Sequence, residues 1–336
     1  MELFGVGDLA DGAARFAADP DRPLVAVDLT DTDWSSPAVG AAVRALDDRS
    51  VVTVGWSPAP LPAAAAPLLA AMTLTIAPDG PGRTWVDRPG ALEDVARGVH
   101  QAPLAAVTLA GLLPATSRAD VADGLVLESL AYSTLLAGPE FAAWRARTPR
   151  RPIPRDDEPV LLARDDDILT VTLHRPARRN AFDRASREAL LAGLELAELD
   201  PTIRAVVLRG AGPAFCSGGD LDEFGTTPDP VTAHLVRLAR SAGHAVHRLR
   251  DRVRPFLHGA CVGAGIEVPA FAAHVHAHPD TWFQLPELSM GMVPGAGGTV
   301  SITQRIGRWR TAYLTLSGAA LDAATAQRWG LVDDLG

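Results

Sequence analysis

Two glycine-rich turns in the second half of the chain could together hold an anion. AFCSGGD (Ala214–Asp220) has two glycines after a short predicted strand, so its backbone can lie close to a ligand. VGAGIE (Val262–Glu267) leads into a predicted helix, and the first N–H groups of a helix lack intrahelical acceptors. Alone, either segment is an ordinary tight turn. Facing one another, they would offer two N–H donors to an oxyanion, such as the enolate of a thioester.

Two glutamates accompany these turns. Glu267 stands among apolar residues in GAGIEVPAFAA, and Glu287 follows Leu285 and Pro286. Most glutamates are solvated surface acids. Exposure of Glu267, however, would leave its apolar neighbours in water. We therefore treat both carboxylates as candidates for acid–base chemistry.

Other reactive groups are weaker candidates. Ser217 could be paired with a histidine, but its surroundings are not the GxSxG elbow of hydrolases. His274, His276 and His278 alternate, so a strand would put them on one face. No carboxylate or thiol partner is evident for them, and we expect no metal site. The sequence contains no lysine, which excludes a Schiff-base lysine and a phosphate-loop lysine.

The elements that must position these residues alternate between strand and helix patterns, which predicts an α/β fold with parallel strands. Strands are predicted at Ile168–His174, Ala205–Leu208 and Arg254–Gly259, and helices from the cap Asp183 to about Glu198, over about Val231–Leu249 and from about Ala264. The first half has strand patterns at Leu24–Leu29, Val51–Gly55 and Thr73–Ala77, a helix at Pro37–Leu46, and an almost wholly helical pattern between Pro89 and Arg147.

Five motifs of the second half occur in a fixed order: RRNAFD (Arg178–Asp183), AFCSGGDL (Ala214–Leu221), HGACVGAGIE (His258–Glu267), LPELSMGMVPGAGGT (Leu285–Thr299) and LSGAALDAATAQRWGLVDDL (Leu316–Leu335). With these motifs the chain from about Leu162 resembles the crotonase (enoyl-CoA hydratase/isomerase) superfamily. The resemblance implies a crotonase-like ββα spiral that binds an acyl-CoA substrate.

The resemblance also implies roles for single residues. The backbone amides of Ser217 and Ala264 would form the oxyanion hole, although the family usually has glycine at the second position. In the hydratase scheme Glu267 is the base on the water that attacks Cβ, and Glu287 delivers a proton to Cα. The substrate-binding residues would be Arg178, Arg179, Ala181, Gly218, Asp220 and Gly295, with the two arginines near the CoA nucleotide.

Several activities share this arrangement. The presence of both glutamates favours 2-enoyl-CoA hydration. The alternative reactions are double-bond isomerisation, decarboxylation and thioester hydrolysis. A protein of a different functional class, a non-catalytic partner subunit, also fits these motifs. No cofactor is expected, because the thioester supplies the acidity and the hole supplies the stabilisation. Pro269 departs from the family and should kink the helix that carries Glu267.

The first half resembles a degenerate copy of the second. Its strand PLVAVDLT resembles IRAVVLRG, Ala65 stands where Glu267 stands, and the glycine-rich turn has become APLPAAAAP. The charged, proline-rich segment Thr148–Glu158 predicts a linker, so we expect domains at 1–150 and 159–336. Ala119–Arg151 resembles the C-terminal helices of crotonases, which cover the active site and build the trimer. We expect these helices to pack on the catalytic half, and the protein to be a homo-oligomer, a trimer or a multiple of trimers.

Composition limits the remaining possibilities. The net charge of −9 argues against a nucleic-acid partner. The N-terminus lacks the basic start and apolar run of a signal peptide, and no apolar stretch reaches the roughly 20 residues of a membrane span. We therefore expect a cytoplasmic protein without a membrane partner. Cys216 and Cys261, the only cysteines, form neither a disulfide framework nor a metal-ligand pattern.

Overall fold

The computed structural model of the chain describes residues 3–10, 21–47, 51–152 and 158–336. Within these ranges the strands form three sheets with mostly parallel pairing, which confirms the mixed α/β class. No helix in the same ranges is long and apolar enough to cross a membrane. Residues 153–157 of the predicted linker lie outside the described residues.

The first sheet is built from the first half of the chain. Its strands pair in parallel and in chain order. They are β1 (Leu3–Gly5), β2 (Leu24–Asp28), β3 (Val52–Trp56), β4 (Leu74–Ile76) and β5 (Trp85–Val86), with helices α1 (Val6–Ala10), α2 (Pro37–Asp47) and α3 (Ala66–Ala71). The strands predicted near residues 24–29 and 51–55 are therefore present.

Four consecutive helices follow, as the sequence pattern predicted. They are α4 (Ala91–Gln101), α5 (Pro103–Thr116), α6 (Val121–Leu136) and α7 (Pro139–Arg147). Proline opens α5 and α7, where its missing N–H costs nothing. Asp120 caps α6 by accepting a hydrogen bond from Asp123 N at 2.9 Å.

The second half forms a six-stranded sheet in the order β14-β11-β9-β8-β7-β6 and a smaller sheet β10-β12-β13. The strands are β6 (Val160–Asp165), β7 (Ile168–Leu173), β8 (Ala205–Gly210), β9 (Val253–Leu257), β10 (Ala260–Val262), β11 (His276–Ala277), β12 (Trp282–Gln284), β13 (Leu321–Asp322) and β14 (Asp334–Leu335). The helices are α8 (Arg184–Leu199), α9 (Pro230–Ala239), α10 (Ala242–Arg248), α11 (Ala264–Glu267), α12 (Gly298–Ile306), α13 (Arg308–Ser317) and α14 (Ala323–Trp329).

Two predicted helices differ from the observed ones. The helix expected over residues 231–249 is two helices, because Ser241 interrupts it and caps α10 by accepting a hydrogen bond from His244 N at 3.1 Å. The helix expected from Ala264 ends as an α-helix at Glu267 and continues as a 3-10 turn at Pro269–Phe271. Proline has no N–H to continue the ladder, so the expected distortion at Pro269 occurs immediately after the glutamate.

The helices α4 to α7 share one hydrophobic core with the second half. Helix α4 packs on α13 so closely that a Cβ at Gly98 would collide with the Leu316 carbonyl. Helix α6 packs on α9 and α12. The strands β2, β3 and β4 are parallel neighbours, as are β8, β9 and β11. This order suits a duplicated unit, but the degenerate copy and the division at 1–150 and 159–336 stay predictions.

Candidate active site

A cavity of about 700 Å³ lies between α6, α9 and the loops that carry the predicted catalytic residues. Glu267, Glu287 and Ala264 line it, together with Asp220 and Gly295. Five other predicted residues do not belong to its lining: Ser217, Gly218, Arg178, Arg179 and Ala181. The cavity therefore brings together one half of the predicted site.

Glu267 is buried at the end of the short helix α11. Its Oε2 accepts hydrogen bonds from Ala296 N at 2.8 Å and Gly298 N at 2.9 Å. Burial raises the pKa of Glu267 to about 7, although these backbone amides oppose the shift. A carboxyl with such a pKa can accept or release a proton near neutral pH.

Glu287 is also buried, in the turn that follows Pro286. Its Oε2 has no hydrogen-bond partner among the described residues. Burial, and then the neighbouring charge of Glu267, hold the pKa of Glu287 well above its usual range. A buried carboxyl beside another carboxyl is favoured in its protonated form.

Gly263 lies between the two glutamates. A Cβ there would be 2.5 Å from Oε1 of Glu287 and 3.6 Å from Oε1 of Glu267, so both carboxyls face the same small space. Its φ of +49° is also one that side-chain-bearing residues rarely adopt. Only glycine fits this position without moving a carboxyl.

A third buried carboxylate, missed by the sequence analysis, is contributed by α6. Glu128 Oε1 accepts from Gly297 N at 2.7 Å, and Oε2 accepts from Thr299 N at 2.9 Å and from Thr299 Oγ1 at 2.7 Å. Successive amides of residues 296–299 thus point alternately to Glu267 and Glu128. Burial and the charge of Glu267 raise the pKa of Glu128 to about 8. An acid inside the apolar run LVLESLAYSTLL was the available signal, since the same pattern singled out Glu267.

The two predicted oxyanion donors differ. Ala264 begins α11, where its N–H has no intrahelical acceptor, and its φ is not positive, so alanine replaces the family's glycine without strain. Ser217 N–H instead donates to the Arg179 carbonyl at 3.0 Å. The Ser217 hydroxyl donates to the Arg178 carbonyl at 3.4 Å and not to a histidine. Within the described part of the chain, Ala264 lines the cavity and its N–H has no protein acceptor, whereas Ser217 does not line it.

Arg178 is engaged by carboxylates. Its Nη2 lies 2.8 Å from Asp220 Oδ1 and 2.7 Å from Asp222 Oδ2, and Asp220 is also paired with the buried Arg175. The ion pair between Arg178 and Asp220 therefore joins the loops that carry them. We had expected Arg178 to contact the CoA nucleotide and Asp220 to contact the substrate. Arg179 is exposed and has no carboxylate within salt-bridge distance among the described residues.

The remaining predicted residues contribute backbone. The Ala181 carbonyl accepts from Arg175 Nη1 at 2.6 Å, and the Gly218 carbonyl accepts from Phe182 N at 2.8 Å. Gly295 contacts the ring of Tyr132 so closely that a side chain there would collide with it. Gly295 therefore seats Tyr132 against the loop that holds Glu267.

The histidine cluster has a partner that the sequence did not reveal. His274 Nε2 lies 2.6 Å from Asp334 Oδ2, and His276 Nδ1 lies 3.5 Å from the same oxygen. Our reason for setting a metal site aside, the lack of a carboxylate, was wrong, because β14 pairs in parallel with β11. The hydrogen bond between His274 and Asp334 at this partly exposed surface is enough to explain the geometry.

Comparison with known proteins gives consistent matches. The family model described as enoyl-CoA hydratase/isomerase matches residues 163–335. A probable enoyl-CoA hydratase of Mycobacterium tuberculosis is 36% identical over 52% of this chain and 68% of its own length. The 2,3-dehydroadipyl-CoA hydratase of Escherichia coli is 33% identical with the same shares. Among solved structures, Pseudomonas aeruginosa DspI has a TM-score of 0.50 and 27% identity, covering 54% of this chain and 70% of that one.

Proposed function

The chain belongs to the enoyl-CoA hydratase/isomerase family, and from this premise we propose that it adds water to, or removes it from, a 2-enoyl-CoA thioester. One observation supports this most strongly: Glu267 and Glu287 are both buried, and both Oε1 atoms face the space beside Gly263. In the hydratase scheme one carboxyl takes a proton from the attacking water and the other gives one to Cα, so both must face the same space, whereas a proton shuttle uses one carboxyl. The relative named for 2,3-dehydroadipyl-CoA is a hydratase of a CoA thioester.

Both carboxyls have a raised pKa, which suits acid–base roles near neutral pH. Glu267, with a pKa of about 7, would accept a proton from water while the water oxygen bonds to Cβ. The electrons of the double bond move to the thioester as an enolate, and Glu287, whose pKa burial holds well above its usual range, delivers its proton to Cα. One proton must then return from Glu267 to Glu287 to restore the starting state. The shared space between the two Oε1 atoms would give that proton a direct path.

The enolate oxygen would bind the amide of Ala264, which is held at the start of α11. For Ser217 to be the second donor, the thioester oxygen has to replace the Arg179 carbonyl as the acceptor of its N–H. Arg179 would then move with the loop, and its exposed guanidinium is available to a CoA phosphate. Arg178, already bound to Asp220 and Asp222, would hold the loop and would not bind the nucleotide.

Isomerisation is the second candidate. Glu267 Oε2 is occupied by two amides, whereas Glu287 Oε2 is free, so Glu287 alone could move a proton between carbons. A relative named 1,2-epoxyphenylacetyl-CoA isomerase is 32% identical over 49% of this chain and 64% of its own length.

The test incubates the protein with crotonyl-CoA and longer enoyl-CoAs and follows the products by mass spectrometry. Hydration adds one water, isomerisation leaves the mass unchanged, and decarboxylation removes carbon dioxide. Glu267→Gln and Glu287→Gln should each slow hydration by roughly 100- to 10,000-fold. Glu198→Gln, which alters an exposed pair with Arg248, is the matched control and should keep the wild-type rate.

Each outcome decides between the candidates. Wild-type hydration by both variants would show that the assignment is wrong. A tolerated Glu267→Gln with an inactive Glu287→Gln would favour the isomerase. No conversion of any thioester by the wild-type protein would favour a non-catalytic subunit.

A further inference from the structure

Arg237 of α9 lines the same cavity and is held in one orientation. Its Nη1 donates to the Ser129 hydroxyl at 2.8 Å, to the Ser129 carbonyl at 3.3 Å and to the Ser133 hydroxyl at 3.2 Å. Its guanidinium carbon lies 4.2 Å from the ring centroid of Tyr132, a distance typical of a cation–π contact. Three uncharged oxygen atoms of Ser129 and Ser133 and the ring of Tyr132 therefore hold the Arg237 guanidinium at the cavity wall.

The charge of Arg237 is not balanced by a direct partner. No carboxylate of the described chain lies within 4.0 Å of it, and its Nε and Nη2 have no acceptor there. The other arginines of the wall differ: Arg187 and Arg240 both bind Glu188, and Arg184 is exposed. Glu128 of α6 favours the charged form of Arg237 without touching it, and burial opposes that form. A ligand carboxylate at the open Nε and Nη2 edge would therefore be a favourable direct partner.

The location of Arg237 indicates which part of a ligand it would meet. Tyr132 lies between Arg237 and Gly295, and Gly295 begins the loop whose amides hold Glu267. Arg237 is thus one aromatic ring away from the proposed reaction centre, beside the apolar side chains of Leu125 and Leu136 that line the cavity. Arg179, our candidate for the CoA phosphates, is not part of this wall.

We propose that Arg237 selects acyl-CoA thioesters that carry a carboxylate at the far end of a short acyl chain. This inference rests on the proposed function, since it assumes that the thioester lies at Ala264 with its acyl chain in the cavity. The Nε and Nη2 edge of a guanidinium can accept a carboxylate in a bidentate pair, which a lysine cannot reproduce.

The experiment measures binding, so it does not depend on turnover. Adipoyl-CoA and hexanoyl-CoA have the same chain length and differ in the terminal carboxylate; succinoyl-CoA and butanoyl-CoA form a shorter pair. None has the double bond needed for hydration. Calorimetry on the full chain should give tighter binding of the dicarboxylic member of at least one pair. Arg237→Gln should remove that preference, roughly a 10- to 100-fold loss for the dicarboxylic ligand alone.

Two further variants control for structure. Arg240→Gln removes a wall arginine that already binds Glu188 and should keep the preference. Arg237→Lys keeps the charge without the bidentate edge and should keep part of it. Unchanged thermal melting of Arg237→Gln shows that its fold is intact. If that variant is unstable, Arg237→Lys is compared with the wild-type protein instead, and its preference for the dicarboxylic ligand should be reduced.

Three results would overturn the proposal. Equal weakening of both members of a pair by Arg237→Gln would assign Arg237 to the CoA phosphates or to charge balance with Glu128. No preference in the wild-type protein would remove the carboxylate site. A preference for the dicarboxylic ligand that is undiminished in both Arg237 variants would show that the terminal carboxylate binds at another residue. A protein that hydrates no enoyl-CoA but shows the Arg237-dependent preference would contradict the proposed function and keep this inference.

Discussion

Replacing Glu128 by alanine should reduce both the stability of the protein and its turnover. The carboxylate accepts hydrogen bonds from Gly297 N, Thr299 N and Thr299 Oγ1, all in the buried core. A buried donor without an acceptor costs about 1–3 kcal/mol. Three such donors give an expected loss of at least about 3 kcal/mol in the free energy of unfolding. Glu128→Gln keeps one acceptor oxygen and should lose about 1–3 kcal/mol.

The effect on turnover follows from the alternating amides. Residues 296–299 donate to Glu267 and Glu128 in turn, so release of Gly297 and Thr299 frees the neighbours that hold Glu267. Displacing a catalytic group by about 1 Å can cost roughly 100-fold in rate. We expect kcat to fall by up to that factor in the alanine variant, while KM changes little.

The assay combines urea unfolding with loss of the enoyl thioester absorbance. Asp322→Ala is the matched control, because Asp322 accepts from Thr325 N at 2.8 Å and Thr325 Oγ1 at 2.9 Å at the start of α14 and does not line the cavity. It should lower stability and leave kcat unchanged. A Glu128→Ala variant with wild-type kcat, or an equal loss of kcat in Asp322→Ala, would refute the reasoning.

Three further predictions concern the same site and its cover. Because burial raises the pKa of Glu267 to about 7 and holds that of Glu287 well above its usual range, the folded chain keeps their protons at a pH where the unfolded chain releases them. Their contribution to stability is full below the unfolded value of about 4.5 and is lost as the pH rises through about 7; thermal melts between these limits should show the fall, and it should be shallower in Glu287→Gln. Gly263→Ala should abolish turnover in a folded protein, since its Cβ would lie 2.5 Å from Glu287 Oε1, whereas Gly111→Ala, in open space on α5, should keep full activity. The second half expressed alone from about Pro159 should be insoluble or inactive, because it lacks the helices with which it shares a core; a soluble, active fragment would contradict this.

Short motifs and local patterns were enough to find Glu267, Glu287 and the main strands of the second half. The apolar context of Glu267 made it a candidate, the resemblance to the family paired it with Glu287, and both line one cavity. The strands at 168–173 and 205–210 were likewise within a few residues of the predicted ends. Alternating apolar residues decide such strands locally.

Residues whose partners are distant in sequence could not be assigned in this way. Glu128 reaches Thr299 from another helix, Arg178 meets Asp220 through two loops, and His274 meets Asp334 through strand pairing. Composition and motif spacing do not indicate which of these distant residues come into contact. The same limit applies to β6, whose antiparallel pairing with β7 was not predicted from the charged sequence around it.

The helices α4 to α7, which share a core with the second half of the chain, also determine the order in which the protein can fold during its synthesis. Helix α6 leaves the ribosome before any residue of α12, and 171 positions separate Glu128 from the Thr299 amide that it binds. Until then, the nascent chain carries the apolar side chains of α5 and α6, among them Leu109, Leu113 and Leu125, without the surface that finally covers them. Contacts so distant in sequence slow folding and expose apolar surface to aggregation. The cavity lined by Glu128, Glu267 and Glu287 is therefore completed only when the last third of the polypeptide has emerged and packed onto helices synthesised long before it.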